Sequence, residues 1–276
     1  MESRNKIIIA VVAVIVIIAA GLYATGSLGN TASSDLNGQD VQLAAAASLK
    51  NVYDEKLIPM FEEKYPGVTV TPTYASSGDL QKQIENGLKA DVFMSAGNKQ
   101  MDALINESLV DNASNVKFLE NKLVLIVPAD SNANMTSFED LKNVKGNIAI
   151  GDPESVPAGQ YANESLHNLG IWDAVEPKLS LATDVTAVLN QVAQKSAECG
   201  LVYATDAQSS KDVKVVCEAP EGSLKTIVYP VAPLKDAEHA DAAAKFMEFL
   251  QTPEAQSVFE DYGFTIHKYI FLNLFI

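Results

Sequence analysis

A chain of 276 residues is long for one ordinary domain and suits two lobes, and its 47% apolar residues are ample for buried cores. Thirty-five acidic against 20 basic side chains leave a formal net charge of −15. That balance argues against nucleic acid as a partner, because phosphate-backbone binding rests on Lys and Arg contacts.

The N-terminus sets the compartment. Arg4 and Lys6 precede an uninterrupted apolar run from Ile7 to Leu22, followed by the small, polar stretch TGSLGNTASSDLNGQD. Residues 1–24 therefore read as a signal peptide or an N-terminal membrane anchor, and 25–40 as a flexible linker. No cysteine lies near this segment to carry a lipid, and no clean A-x-A cleavage site follows it, which favours an uncleaved anchor. Either reading sends the remaining chain outside the cytoplasm.

From Val41 onward, strands and helices alternate, the pattern of an α/β protein with parallel or mixed sheets. The strand VQLAAAA leads to Ser48 and a helix with Leu49, Val52, Tyr53, Leu57, Met60 and Phe61 on one face, ended by Pro66-Gly67. VTVTPTYA then meets Ser76-Ser77-Gly78-Asp79 and the helix LQKQIENG. ADVFMSAG precedes a helix from about Asn98 to Ile105. KLVLIVPAD suits a crossing between lobes, and FEDLKNV reads as a short helix.

The strand NIAIG leads into GDPESVPAGQY, from Gly151 to Tyr161, which turns through Pro153 and Pro157 and opens a helix. PKLSLATD follows, with Thr183-Asp184 as caps for the helix VTAVLNQVAQK. CGLVYATDA gives a strand ending at Tyr203, and KDVKVVCEAP gives another. SLKTIVYPVAPLK returns the chain to the first lobe, and the helices HADAAAKFMEFLQ and PEAQSVFEDYGF close the fold.

A serine that begins a helix needs no explanation beyond capping. The sequence supplies more than capping requires: Ser76, Ser77 and Gly78 leave a spare hydroxyl and an unobstructed backbone, and AAAAS keeps side chains small where its strand ends. Near Ala158 and Gly159, unpaired N–H groups and the positive end of a helix dipole offer an anion seat. An ordinary turn in which Asp152 bonds its own backbone is the competing reading of that loop. Small residues and free donors at strand carboxyl ends mark the usual ligand crevice of open α/β sheets.

AAASLKN (45–51), YASSGDLQKQIENG (74–87), ADVFMSA (90–96), GDPESVPAGQYA (151–162), ATDV (182–185), GLVYATDA (200–207) and YGFT (262–265), in this order, make the chain resemble the molybdate-binding proteins of ABC importers, within the two-lobed periplasmic-binding-protein superfamily. The resemblance implies two α/β lobes, each a mixed sheet flanked by helices: 41–122 with 230–265, and 123–229. It implies a tetrahedral oxyanion, molybdate or tungstate, held in the cleft between lobes by hydroxyls and backbone amides, with no metal cation and no cofactor. Carried onto this chain, the ligands are Ser48 and Ser77 from the first lobe, and the N–H groups of Ala158 and Val185 with the Tyr203 phenol from the second. The expected partners are an ABC permease and, through the N-terminal segment, the membrane; the expected state is a monomer. Sulfate or another oxyanion is the alternative cargo, and an enzyme acting on an anionic substrate the alternative class.

Outside the resemblance, Tyr161 and Trp172 read as packing residues. His167, His239 and His267 have no neighbours at metal-ligand spacing, and no nucleophile–base pattern is suggested. Cys199 and Cys217 are a possible disulfide in an oxidising compartment, with two free thiols as the other reading. The apolar tail 266–276 is too short to span a bilayer and has no assigned role.

Overall fold

The computed structural model describes Leu36 and residues 38–267. The expected anchor 1–24, most of the linker and the tail beyond His267 lie outside the described residues.

The chain builds one sheet, leaves it for a second and returns. The first sheet begins with β1 (Asp40–Ala46), β2 (Thr69–Ala75), β3 (Val92–Met94) and β4 (Val116–Asn121). The second contains β5 (Leu123–Pro128), β6 (Ile148–Gly151), β7 (Leu179–Ala182), β8 (Cys199–Tyr203) and β9 (Val213–Glu218). The chain re-enters the first sheet as β10 (Ile227–Pro233) and β11 (Thr265–Ile266). Strand orders are β11-β4-β10-β3-β1-β2 and β7-β6-β8-β5-β9. In the first sheet β1 runs parallel to β2 and β3. In the second, β6 runs parallel to β7 and β8. The crossover strands β4, β10, β5 and β9 pair antiparallel.

Helices cover both faces of each sheet, which is why β5, every residue of it buried, reads as a continuous apolar run rather than an alternating one. On one face of the first sheet, Leu80, Ile84, Met101 and Leu104 from the helices Ser77–Glu85 and Asn98–Asn106 pack with Ala44, Phe93 and Ala232. On the other, Tyr53, Phe61, Phe246 and Phe259 meet ring to ring, the last two from the closing helices Ala240–Leu250 and Pro253–Asp261.

Two crossings join the lobes. The first is Lys122 alone, between β4 and β5. The second follows β9, and β10 pairs with β4 from Ile227 opposite Asn121. The return therefore precedes the expected 230, because the buried run from Ile227 is already in register with β4. The helix expected after Ser48 is also irregular: a 3-10 turn (Ala47–Leu49), a helical turn (Lys50–Val52), a π turn (Tyr53–Leu57) and the α-helix Ile58–Lys64. Pro59 lacks an N–H and its ring crowds the carbonyl four residues back, so the turn before it widens. At the C-terminus, Ile266 pairs with Leu119 and the His267 N–H donates to Phe118 O, so the expected tail begins as an edge strand on β4.

Candidate functional site

All five residues that the family resemblance names stand at or just beyond the carboxyl ends of strands. Ser48 lies in the 3-10 turn after β1, and Ser77 opens the helix after β2. Ala158 is second in the helix Pro157–Asn168 after β6, and Val185 opens Val185–Ala193 after β7. Tyr203 ends β8. They line one small cavity of about 10 Å³, whose remaining walls include Ala46, Ala47, Ala75 and Ala96. The alanine run of β1 thus serves the cavity by staying small. Among the described residues no Lys, Arg or His lines it, and its one carboxylate is Asp184.

Capping explains why particular donors are left for the cavity. Ser76, not Ser77, caps its helix: its Oγ accepts the Asp79 N–H at 3.1 Å. Ser77 is thereby spare, and its fully buried Oγ accepts the Ala96 N–H at 2.9 Å. Asp184 caps the next lobe's helix through Oδ1 and the Ala187 N–H at 2.8 Å, which leaves Val185 at the first helical position. Val156 caps without a side-chain bond and Pro157 has no N–H, so Ala158 carries the first amide of its helix. Asp152 does bond its own loop, its Oδ1 accepting the Glu154 N–H at 2.9 Å. The turn reading and the open helix start hold together.

The lobes meet around this cavity. The Gly78 N–H donates to Ser155 O at 2.9 Å, Gln100 Nε2 to Gln160 Oε1 at 3.2 Å, and Asn121 Nδ2 to Thr205 Oγ1 at 2.9 Å. The Tyr203 hydroxyl donates to Ala96 O at 3.1 Å. Ala96 thus gives its N–H to Ser77 and receives a hydrogen from Tyr203. Burial holds the Tyr203 and Tyr229 phenols well above their ordinary range, so both keep their protons. Burial also lifts Asp206, one helical turn beyond Tyr203, to about 7, with Asp184 adding to the rise.

A protein family described as bacterial extracellular solute-binding protein matches residues 41–265. The chain belongs to that family. Its members work outside the cytoplasm, and so does this chain. Among relatives of this solute-binding protein, the molybdate-binding protein ModA of Escherichia coli (strain K12) is 41% identical over 235 residues, 82% of this chain and 89% of that one. ModA of Haemophilus influenzae is 37% identical over 229 residues, again 82% and 89%. The periplasmic molybdate-binding protein of Azotobacter vinelandii superposes with a TM-score of 0.74, covering 83% of this chain and all of that one; at 22% identity that likeness concerns the fold.

The possible disulfide is not made. Cys199 lies in β8 and Cys217 in β9, both thiols are free, and β5 runs between those strands. Two strand spacings, about 10 Å, exceed the roughly 7 Å between Cα atoms that a disulfide spans. Burial pushes the Cys199 thiol up to about 12, leaving it inert. Trp172 stacks on His167 at 4.6 Å, and Tyr161 is half-buried. Sequence reading missed Asn121 and Tyr229, which stand behind Ser48, and the Gly78–Ser155 clasp. Tyr229 sits in an apolar run that signals only a strand.

Proposed function

We propose that this solute-binding protein captures molybdate, with tungstate held comparably, and delivers it to an ABC permease from the outer face of the membrane. One observation carries the reading. Five residues, drawn from both lobes and matching the oxyanion ligands of the resembled family, line a single cavity with no cationic side chain among the described residues. The curated relatives named for molybdate support the choice of cargo.

In this reading the Ser48 and Ser77 hydroxyls and the Ala158 and Val185 amides donate to the oxyanion, joined by Tyr203. Two helix starts add their dipoles. Charge-assisted bonds contribute roughly 1.5–3 kcal/mol each, so the five together reach about 15 kcal/mol at the upper end, enough to leave the ~8 kcal/mol of micromolar affinity after immobilisation. The distributed charge of −15 does not defeat this, because screening within about 8 Å lets the local dipoles dominate. Each lobe holds part of the donor set, so the ligand stabilises the closed state over the open one. Binding and release, with no bond made or broken in the cargo, is then the whole task.

Calorimetric titration with molybdate, tungstate, sulfate and phosphate at fixed salt tests the proposal. Tight binding of the first two, with the others at least a hundredfold weaker, is the expected result. Sulfate bound as tightly would change the cargo, and silence from all four would overturn the reading.

A further inference from the structure

Behind Ser48 stand two residues that do not line the cavity. Asn121 ends β4, next to the Lys122 crossing. Its Oδ1 accepts the Lys122 N–H at 2.8 Å. A backbone N–H can only donate, so this bond settles which end of the amide is oxygen. Nδ2 then donates to Thr205 Oγ1 at 2.9 Å and to the Tyr229 hydroxyl at 3.2 Å. Tyr229 is fully buried in β10, its ring against Tyr203 at 5.6 Å and Phe264 at 5.5 Å. Its oxygen receives a hydrogen from Asn121 at 3.2 Å and lies 3.0 Å from Ser48 Oγ, a spacing at which either hydroxyl can donate.

We infer that Asn121 and Tyr229 are positioning residues that turn the Ser48 hydroxyl into an obligate donor toward the cleft. In this arrangement the Tyr229 hydroxyl is the donor to Ser48 Oγ, so the one serine hydrogen is left for the ligand. Ser77 is set the same way by a different group, the Ala96 N–H at 2.9 Å. A free serine hydroxyl samples three staggered orientations, and those that aim lone pairs at an anion repel it. Committing the oxygen in advance removes them and lowers the ordering cost of binding.

The inference rests on Ser48 contacting the oxyanion, and a double-mutant cycle separates the two claims. Molybdate affinity is measured by calorimetry on the full chain for wild type, Ser48→Ala, Tyr229→Phe and the double variant, with ligand-free melting temperatures alongside. Ser48→Ala is expected to weaken binding. Tyr229→Phe is expected to weaken it roughly fivefold in the wild-type background and less than about twofold beside Ser48→Ala, because the phenol acts only through that serine. An unchanged affinity for Ser48→Ala would remove the site reading itself. A weakened Ser48→Ala with Tyr229→Phe costing the same factor in both backgrounds, or nothing in either, would overturn the positioning role alone. Should Tyr229→Phe fold poorly, Asn121→Ala takes its place. Its cost must shrink in the Ser48→Ala background, and an equal cost in both would overturn the inference.

Discussion

Gly78→Ala separates closure from folding. Gly78 is the second residue of the helix Ser77–Glu85, does not have a positive φ, and donates its N–H across the cleft to Ser155 O at 2.9 Å. A methyl built there runs into Ser155 O and lies 2.7 Å from Ser155 Cα. Ordinary contact begins at 3.4 Å, so the lobes must part by at least about 0.7 Å at this point. Ser155 is two residues from Pro157, which opens the helix carrying Ala158, so the displacement acts directly on the second lobe's donors. Losing two of that lobe's three bonds to the oxyanion, at the low end of the charge-assisted range, costs about 3 kcal/mol, about a hundredfold in affinity.

The open protein bears none of this strain. Alanine in a helix is favoured over glycine by roughly 0.5–1 kcal/mol, so the ligand-free melting temperature should stay level or rise. The assay pairs molybdate titration with thermal melts in the presence and absence of ligand. Affinity lost while ligand-free stability is kept is the expected signature. Affinity within threefold of wild type would refute the role of this contact in closure. A steep fall in ligand-free melting would mean that the glycine serves the fold instead.

Ser77→Ala removes a hydroxyl whose oxygen is held by the Ala96 N–H; molybdate affinity should fall roughly ten- to a hundredfold, and unchanged affinity by calorimetry would remove Ser77 from the site. Asp206 is raised by burial from 3.8 to about 7, so the folded protein holds this proton more tightly than the unfolded chain; its contribution is intact below about pH 4 and lost as pH rises through 7. Asp206→Asn should therefore gain stability relative to wild type by up to about 4 kcal/mol between pH 4 and 8, from about 3 units at 1.36 each, and a pH-independent difference in denaturant titrations would refute this. In the second lobe, a methyl on Gly159 runs into Gly151 O and lies 3.1 Å from Asp152 C; Gly159→Ala should lower the melting temperature by several degrees, and a melt matching wild type would count against that close approach.

Much of the site was legible because capping is local. Ser76, Ser77 and Asp79 sit within one turn, so the surplus hydroxyl shows in the sequence, and the structure only decides that Ser76 caps and Ser77 is spare. Strand–helix alternation gave the α/β class for the same reason, and the two lobes came with the family resemblance. What escaped depends on strand order and on contacts distant along the chain. The Cys199–Cys217 pairing looked feasible because sequence does not reveal that β5 lies between their strands. Gly78 and Ser155 come together only when two lobes close, and Tyr229 reaches Ser48 across 181 positions. The irregular first helix was readable in principle: Pro59 marks it, but a strong apolar face outweighed the proline.

Ser77 and Tyr203 both reach Ala96, yet they stand differently toward the ligand. Ser77 accepts from the Ala96 N–H and keeps its hydrogen for the oxyanion, whereas Tyr203 has one hydrogen and gives it to Ala96 O at 3.1 Å. The oxyanion must compete for that hydrogen. Tyr203 therefore contributes only the difference between a charge-assisted bond, roughly 1.5–3 kcal/mol, and a neutral one, roughly 0.5–1.5 kcal/mol: about 1 kcal/mol, or roughly fivefold. Ser77 has no such rival and contributes its bond in full. Removing the Ser77 hydroxyl should then cost more affinity than Tyr203→Phe. Tyr203→Phe should also loosen the ligand-free closed state, because the Tyr203–Ala96 bond is one of those that join the lobes around the cavity. Calorimetry on the two single variants ranks them directly. A larger loss for Tyr203→Phe would mean that the phenol reaches the oxyanion without giving up Ala96, and that the competition drawn from this geometry is wrong.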